Sequence, residues 1–237
     1  PLDGFAQGVA AWRAEGGKGC NITVPFKFEA APLASQTTPR AALAQACNTL
    51  RFDADGIFAD NTDGVGLVND ITRNAGVPLQ GARVLLVGAG GAAAGVLGPL
   101  LQAGVRHITI ANRTVAKAEA LVASHSALAA LQKAELMALS PQAVEGDFDV
   151  IINATASSLA GDAVPVPASV LRPGSLAYDM MYGPAAQGFP DWAQAHGAVA
   201  RDGLGMLVEQ AAEAFAIWRG VRPPSAQVLE ELRRAPH

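Results

Sequence analysis

The chain has 237 residues, half of them hydrophobic and 16% charged, with a formal net charge of −4. That composition supports a packed core in one large domain or two smaller ones and excludes a disordered chain. No Lys/Arg run marks a surface for nucleic acid or an anionic membrane.

In chain order, Leu2–Glu15 predicts a helix, Gly19–Thr23 a strand, Pro39–Ala46 a helix, and Asn48–Phe52 and Ile57–Asp60 strands. This is mixed α/β material of one unit, Pro1–Asn61. From Gln80 onward, strand and helix signals alternate. Ala82–Val87 is a short apolar run of the kind that fills a buried parallel strand. Gly88–Gly91 turns it, Ala92–Ala103 is helical, and Gly104 ends the helix. Arg106–Ala111 is a β-branched strand, followed by a helix over Thr114–Ser124 with Thr114 at the N-cap. Glu135–Leu139, Asp149–Asn153, Ser175–Asp179 and Ala198–Arg201 are further strands, and Gln187–His196 is a helix. Gly205–Trp218 and Ser225–Arg234 are two tail helices. Such alternation predicts an α/β fold with a doubly wound parallel sheet beside a second α/β unit.

Val84–Val105 carries no charge and is long enough to resemble a membrane span. Gly88, Gly90, Gly91, Gly95, Gly98 and Pro99 within it instead fit a strand, a glycine turn and a helix. Cys20 and Cys47 form no CxxC pair and have no histidine at ligand spacing, so they read as reduced thiols of a cytoplasmic protein, with no metal site. The sequence begins at Pro1 rather than Met, so the lack of a signal peptide carries no information.

Two constellations carry chemistry. Gly88-Ala89-Gly90-Gly91-Ala92 follows a strand and opens a helix. Glycines there let the backbone approach a pyrophosphate, and the helix N-terminus offers free N–H groups to it. At the end of the next strand, where an acid would bind the 2′-hydroxyl of NAD, stands Asn112-Arg113-Thr114. Arg113 can pair with a 2′-phosphate, with Asn112, Thr114 and Lys117 as further donors, which favours NADP. Second, Lys27 follows a strand and a proline, and Asp63 lies where the first unit hands over to the second. An ammonium beside a nicotinamide can stabilise and protonate the oxygen of a ketone under reduction, with a carboxylate to orient it. Taken alone the two are weak signals: a single lysine near a proline is usually a surface residue, and Asn61-Thr-Asp63-Gly is usually a turn.

Asn21-Ile-Thr-Val-Pro-Phe-Lys27 resembles the Asn-Val-Thr-x-Pro-x-Lys motif of shikimate dehydrogenases. Ala46-Cys-Asn48-Thr-Leu50 is similar to their Gly-Ala-x-Asn-Thr segment. Asn61-Thr-Asp63-Gly, the glycine turn, Asn112-Arg-Thr114, Asn153-Ala-Thr155, Tyr178-Asp-Met-Met-Tyr182 and Asp202-Gly-Leu-Gly-Met-Leu-Val-Glu-Gln210 match in the same order. The resemblance spans essentially the whole chain. It implies NADPH-dependent reduction of 3-dehydroshikimate to shikimate, a step toward chorismate and the aromatic amino acids. It assigns Lys27 as catalytic acid/base and Asp63 as its partner, with Thr23, Asn48, Asp63, Tyr182 and Gln210 on the substrate. It sets Gly88–Ala92 on the pyrophosphate, Asn112, Arg113, Thr114 and Lys117 around the adenosine phosphate, and Thr155, Met180 and Gly203 at the nicotinamide end. The implied architecture is a substrate domain of residues 1–62 plus 204–237 and a Rossmann-like domain of residues 63–203. The site would lie in the cleft between them, closing over a small-molecule substrate in a monomer or homodimer.

Two departures stand out. The family begins with a strand, helix and strand carrying a Ser-x-Ser pair for the substrate carboxylate; nothing before Pro1 supplies it, so the sequence is expected to be part of a longer chain. Ser157-Ser158 is in the wrong place to substitute. Ala156 stands where the family usually has Ser. An NAD-preferring quinate/shikimate dehydrogenase would carry an acid near Arg113, where Asn112 stands. A methylenetetrahydrofolate dehydrogenase would not carry the Lys27 and Asp63 motifs in this form. A non-catalytic nucleotide-binding regulator would not need Lys27, Asp63 and Gln210 together.

Overall fold

The computed structural model describes residues 3–156 and 163–235. The first sheet is four-stranded, in the order β1-β3-β4-β2. Its strands are β1 (Gly19–Asn21), β2 (Gln36–Thr37), β3 (Thr49–Asp53) and β4 (Gly56–Asp60). β3 pairs antiparallel with β1 and β4, and β2 pairs parallel with β4. Around it lie α1 (Phe5–Ala14), the single turn α2 (Lys27–Ala30) and α3 (Pro39–Ala44). α3 starts as its sequence dictates: Pro39 occupies the first turn, and the Thr38 hydroxyl accepts the Ala41 N–H at 3.3 Å.

Asp63–Asn69 forms α4 and continues as a π turn through Asp70–Asn74. The second sheet then runs β5 (Arg83–Val87), β6 (His107–Ala111), β7 (Glu135–Leu139), β8 (Val150–Asn153), β9 (Leu176–Asp179) and β10 (Val199–Arg201). All pairs are parallel, in the order β10-β9-β8-β5-β6-β7. This is the doubly wound order, with its reversal between β5 and β8, and ligands of such sheets bind outside that crevice. α5 (Gly91–Gln102), α6 (Val115–Gln132) and α7 (Gly188–Ala195) cover the faces. β5 and β8 bury every residue from Val84 to Val87 and from Val150 to Asn153, as central strands covered on both sides must.

The tail helices are α8 (Leu204–Arg219) and α9 (Ser225–Arg234). α8 packs along α4 and returns to the first sheet. There the Trp218 indole donates to Leu50 O at 3.0 Å, and Arg40 bridges Asp60 and Glu213. Chain crossings thus join the two sheets twice, as expected for a two-domain fold with the tail folded back.

Several expectations need correction. The first helix begins at Phe5, after Gly4; Leu2 lies outside the described residues. The helix read as Thr114–Ser124 runs on to Gln132. Its polar Ser-His-Ser stretch does not break it, because the Ser124 and Ser126 hydroxyls bond back to Leu121 O and Ala123 O, and buried His125 sets Nδ1 3.0 Å from Leu121 O. Thr114 holds the N-cap position, but its side chain makes no capping bond. Gly104 ends α5 as expected, with φ +83°. Ser157-Ser158 lies outside the described residues.

The Asn61-Thr-Asp63-Gly turn proves to be the start of a helix. Gly64 and Gly66 weaken helix propensity, but tertiary contact overrides it. A Cβ on Gly64 would sit 2.2 Å from Pro99 Cγ of α5, and one on Gly66 2.8 Å from Gln210 Cβ of α8. Only glycine lets α4 pass this close to both neighbours.

Among the described residues no helix is long and apolar enough to cross a membrane, and no cluster of His, Cys, Asp or Glu could hold a metal ion. Both cysteines are free thiols; burial pushes that of Cys47 up to about 12.

Candidate active site

β1 ends at Asn21, and Pro25 closes a turn that delivers Lys27 at the start of α2. β4 ends at Asp60 and delivers Asp63 at the start of α4. The Lys27 ammonium and the Asp63 carboxylate meet there, Nζ to Oδ2, at 2.5 Å. Both are largely buried, with the Lys27 side chain 13% exposed. Asp63 Oδ1 accepts from Asn48 Nδ2 at 2.9 Å, and the Asp63 N–H donates to Asn61 Oδ1 at 3.2 Å. Each carboxylate oxygen thus has a donor, which fixes the direction in which it holds the ammonium.

A cavity of about 470 Å³ opens beside this pair. It brings together Thr23, Lys27, Asn48, Asp63, Tyr182 and Gln210, all expected on the substrate, with Ala92, Met180 and Gly203 from the expected cofactor set. The volume suits a small cyclic ligand. Tyr182 is 48% exposed and stands at the rim. Asn21, Met206 and Leu207 also line the cavity, and the sequence reading does not assign them to it. Met206 and Leu207 precede Gln210 at helical spacing, a periodic signal. Asn21 is instead the last residue of β1, which stops short of the expected Thr23, and lies two positions before Thr23 in the chain.

The glycine turn abuts the pair from the other sheet. Gly91 opens α5, and a Cβ there would stand 3.2 Å from Lys27 Cβ. Gly88 has φ +113°, and its Cβ would press to 2.9 Å from Thr155 Cγ2. A Cβ on Gly90 would meet nothing within 4 Å, so the turn faces open space. A bare turn at the N-terminus of a three-turn helix, with room in front of it, fits a pyrophosphate. Thr155 is held by Asn153, which accepts its hydroxyl at 2.7 Å.

Asn112, Arg113, Thr114 and Lys117 do not reach this cavity. They sit at the end of β6 and in the first turn of α6, coupled to the glycine turn by the Gly88 N–H on Ala111 O at 2.8 Å. Asn112 Nδ2 donates to Thr114 O at 2.8 Å, fastening that loop. Arg113 and Lys117 are exposed.

Comparison with known proteins bears on this arrangement. Residues 1–50 match the shikimate dehydrogenase substrate binding domain, residues 70–160 the shikimate/quinate 5-dehydrogenase domain, and residues 203–233 the shikimate 5′-dehydrogenase C-terminal domain. The chain is 74% identical to a shikimate dehydrogenase (NADP(+)) of Acidovorax ebreus over 99% of this chain and 83% of that protein. It superimposes on the crystal structure of an Ael1 enzyme from Pseudomonas putida with a TM-score of 0.82 at 45% identity, covering 98% of this chain and 84% of that one. It superimposes equally well, at 0.82 and 28% identity, on the Thermus thermophilus shikimate 5-dehydrogenase in complex with NADP(H) and shikimate, covering 100% and 85%. The chain belongs to the shikimate dehydrogenase family.

Proposed function

We propose that the protein is an NADP-dependent shikimate dehydrogenase, reversibly reducing 3-dehydroshikimate to shikimate in the route to chorismate and the aromatic amino acids. The observation that carries this reading is the buried Lys27–Asp63 pair facing the cavity directly beside the bare glycine turn. NADPH, when bound, supplies the hydride. Gly88–Ala92 hold its pyrophosphate, Asn112, Arg113, Thr114 and Lys117 its adenosine phosphate, and Thr155, Met180 and Gly203 its nicotinamide end. Lys27 donates a proton to the developing alkoxide, and Asp63 keeps the ammonium aimed at it. Thr23, Asn48, Tyr182 and Gln210 hold the ring substituents. Residues 1–62 with 204–237 form the substrate domain, and residues 63–203 the cofactor domain. The enzyme works in the cytoplasm, in keeping with its two free thiols, as a monomer or homodimer.

The test is the appearance of reduced nicotinamide with shikimate, quinate or neither. Shikimate-dependent turnover preferring NADP⁺ over NAD⁺ is expected. NADP⁺ binding with no turnover on either acid would overturn the reading. Within the same assay, Arg113→Ala should raise KM for NADP⁺ by about tenfold or more, the worth of one charge-assisted contact, and leave KM for NAD⁺ nearly unchanged. Equal losses for the two cofactors would show that Arg113 does not read the 2′-phosphate.

A further inference from the structure

Thr62 lies between the two residues that anchor the first sheet to α4, is 0% exposed, and has no part in the mechanism above. Its hydroxyl touches two amides of the cavity wall. It accepts from Asn48 Nδ2 at 2.9 Å and stands 3.2 Å from Asn48 Oδ1 and 3.3 Å from Gln210 Oε1. A hydroxyl has one proton to give. Asn48 Oδ1 already accepts from the Thr62 N–H at 2.9 Å and the Thr49 hydroxyl at 3.0 Å. Its two lone pairs are taken, so the Thr62 proton goes to Gln210 Oε1.

The same accounting fixes both amides. A backbone N–H can only donate, so Asn48 must turn Oδ1 to Thr62 and Nδ2 to Asp63. The two hydrogens of Asn48 Nδ2 go to Asp63 Oδ1 and Thr62 Oγ1, both at 2.9 Å, so Gln210 Oε1, 3.1 Å from that nitrogen, takes its proton from the Thr62 hydroxyl at 3.3 Å. Gln210 Nε2 then donates one hydrogen to Leu207 O at 3.0 Å, and among the described residues the other has no acceptor. Gln210 lines the cavity.

We propose that Thr62 is a positioning residue. Its hydroxyl holds Gln210 with the oxygen turned inward and an N–H turned to the cavity, so that Gln210 recognises a substrate oxygen strictly as a donor. The reading of the cavity as a shikimate site underlies this proposal.

Thr62→Val keeps the shape and removes the hydroxyl; Thr62→Ser keeps the hydroxyl. The valine variant should raise KM for shikimate by about tenfold, the loss of one buried hydrogen bond, with kcat within about threefold and KM for NADP⁺ unchanged. Serine should restore KM to within about twofold of the parent. A valine variant with the parental KM overturns the proposal, as does a serine variant as impaired as valine, which would assign the effect to packing. Side-chain amide hydrogen exchange, read by nuclear magnetic resonance on ligand-free protein, is independent of substrate. Gln210 and Asn48 should be protected in the parent and in Thr62→Ser and exchange faster in Thr62→Val; equal exchange overturns the proposal. Failure of the parent to oxidise shikimate would instead sink the functional reading, with the exchange data still deciding the role of Thr62.

Discussion

Replacing Lys27 with alanine is expected to lower kcat by about two to four orders of magnitude while KM for shikimate changes far less. Reduction of a ketone builds negative charge on its oxygen only as the reaction proceeds. A group that meets that charge acts in the transition state, and its loss appears in kcat. The competing role for Lys27 is simple attraction of an anionic substrate, which would bind ground and transition states alike and appear in KM alone. The geometry favours the first role. Asp63 Oδ2 grips the ammonium at 2.5 Å, Asn48 holds the other carboxylate oxygen at 2.9 Å, and burial of the pair excludes most of the water that would screen it. The variant should still fold, since Asp63 keeps its Asn48 donor and faces a cavity that water can enter. Steady-state kinetics with a thermal melt as control decides the matter. A raised KM with kcat intact would remove Lys27 from proton transfer.

Much of this site was legible in the chain because each half of it is local. The glycine turn announces itself by the apolar strand before it and the helix after it, whereas Lys27 stands out only through the family resemblance of the Asn-Ile-Thr-Val-Pro-Phe run that precedes it. Buried strands such as β5 and β8 show as unbroken apolar runs for the same reason. What stayed hidden depends on partners far away in the chain. α4 carries two glycines and looks like a turn until α5 and α8 are laid across it. Asn48 meets Gln210 across 162 positions, and nothing local to either residue predicts the meeting. Thr62 sits between two motif residues, and its importance appears only once the protons of its neighbours are counted. The sheet order likewise needs the pairing of β5 with β8, which no short-range signal encodes.

The largest effect on stability is expected at Asp70, far from the proton-transfer pair. It lies in the π turn after α4 and is wholly buried. Its carboxylate accepts two bonds from the Arg201 guanidinium at 2.6 and 2.7 Å, the Tyr178 hydroxyl at 2.7 Å and Asn74 Nδ2 at 2.8 Å. Gly205 at the start of α8 leaves room for it: a Cβ there would sit 1.9 Å from Asp70 Oδ1. One side chain therefore pins the π turn to β9, β10 and α8. Asp70→Ala strands a guanidinium and a phenol with no acceptor, and unfolding in urea should lose about 3–5 kcal/mol at neutral pH, the range for breaking a buried pair from one side. Asp70→Asn keeps the size but forfeits the charge and should lose less. The pH dependence supplies an independent sign. Burial by itself would raise the carboxyl pKa, but the bonds from Arg201, Asn74 and Tyr178 outweigh it and hold the group below its usual value. A depressed folded value means that the stabilisation is complete above the unfolded carboxyl value of about 3.9 and is lost as pH falls through the folded value. The parent protein should therefore lose stability in that acid window, and the asparagine variant should show a shallower loss there. A neutral-pH loss below about 1 kcal/mol for the alanine variant, or an unchanged acid slope for asparagine, would show that this junction is held by apolar packing alone.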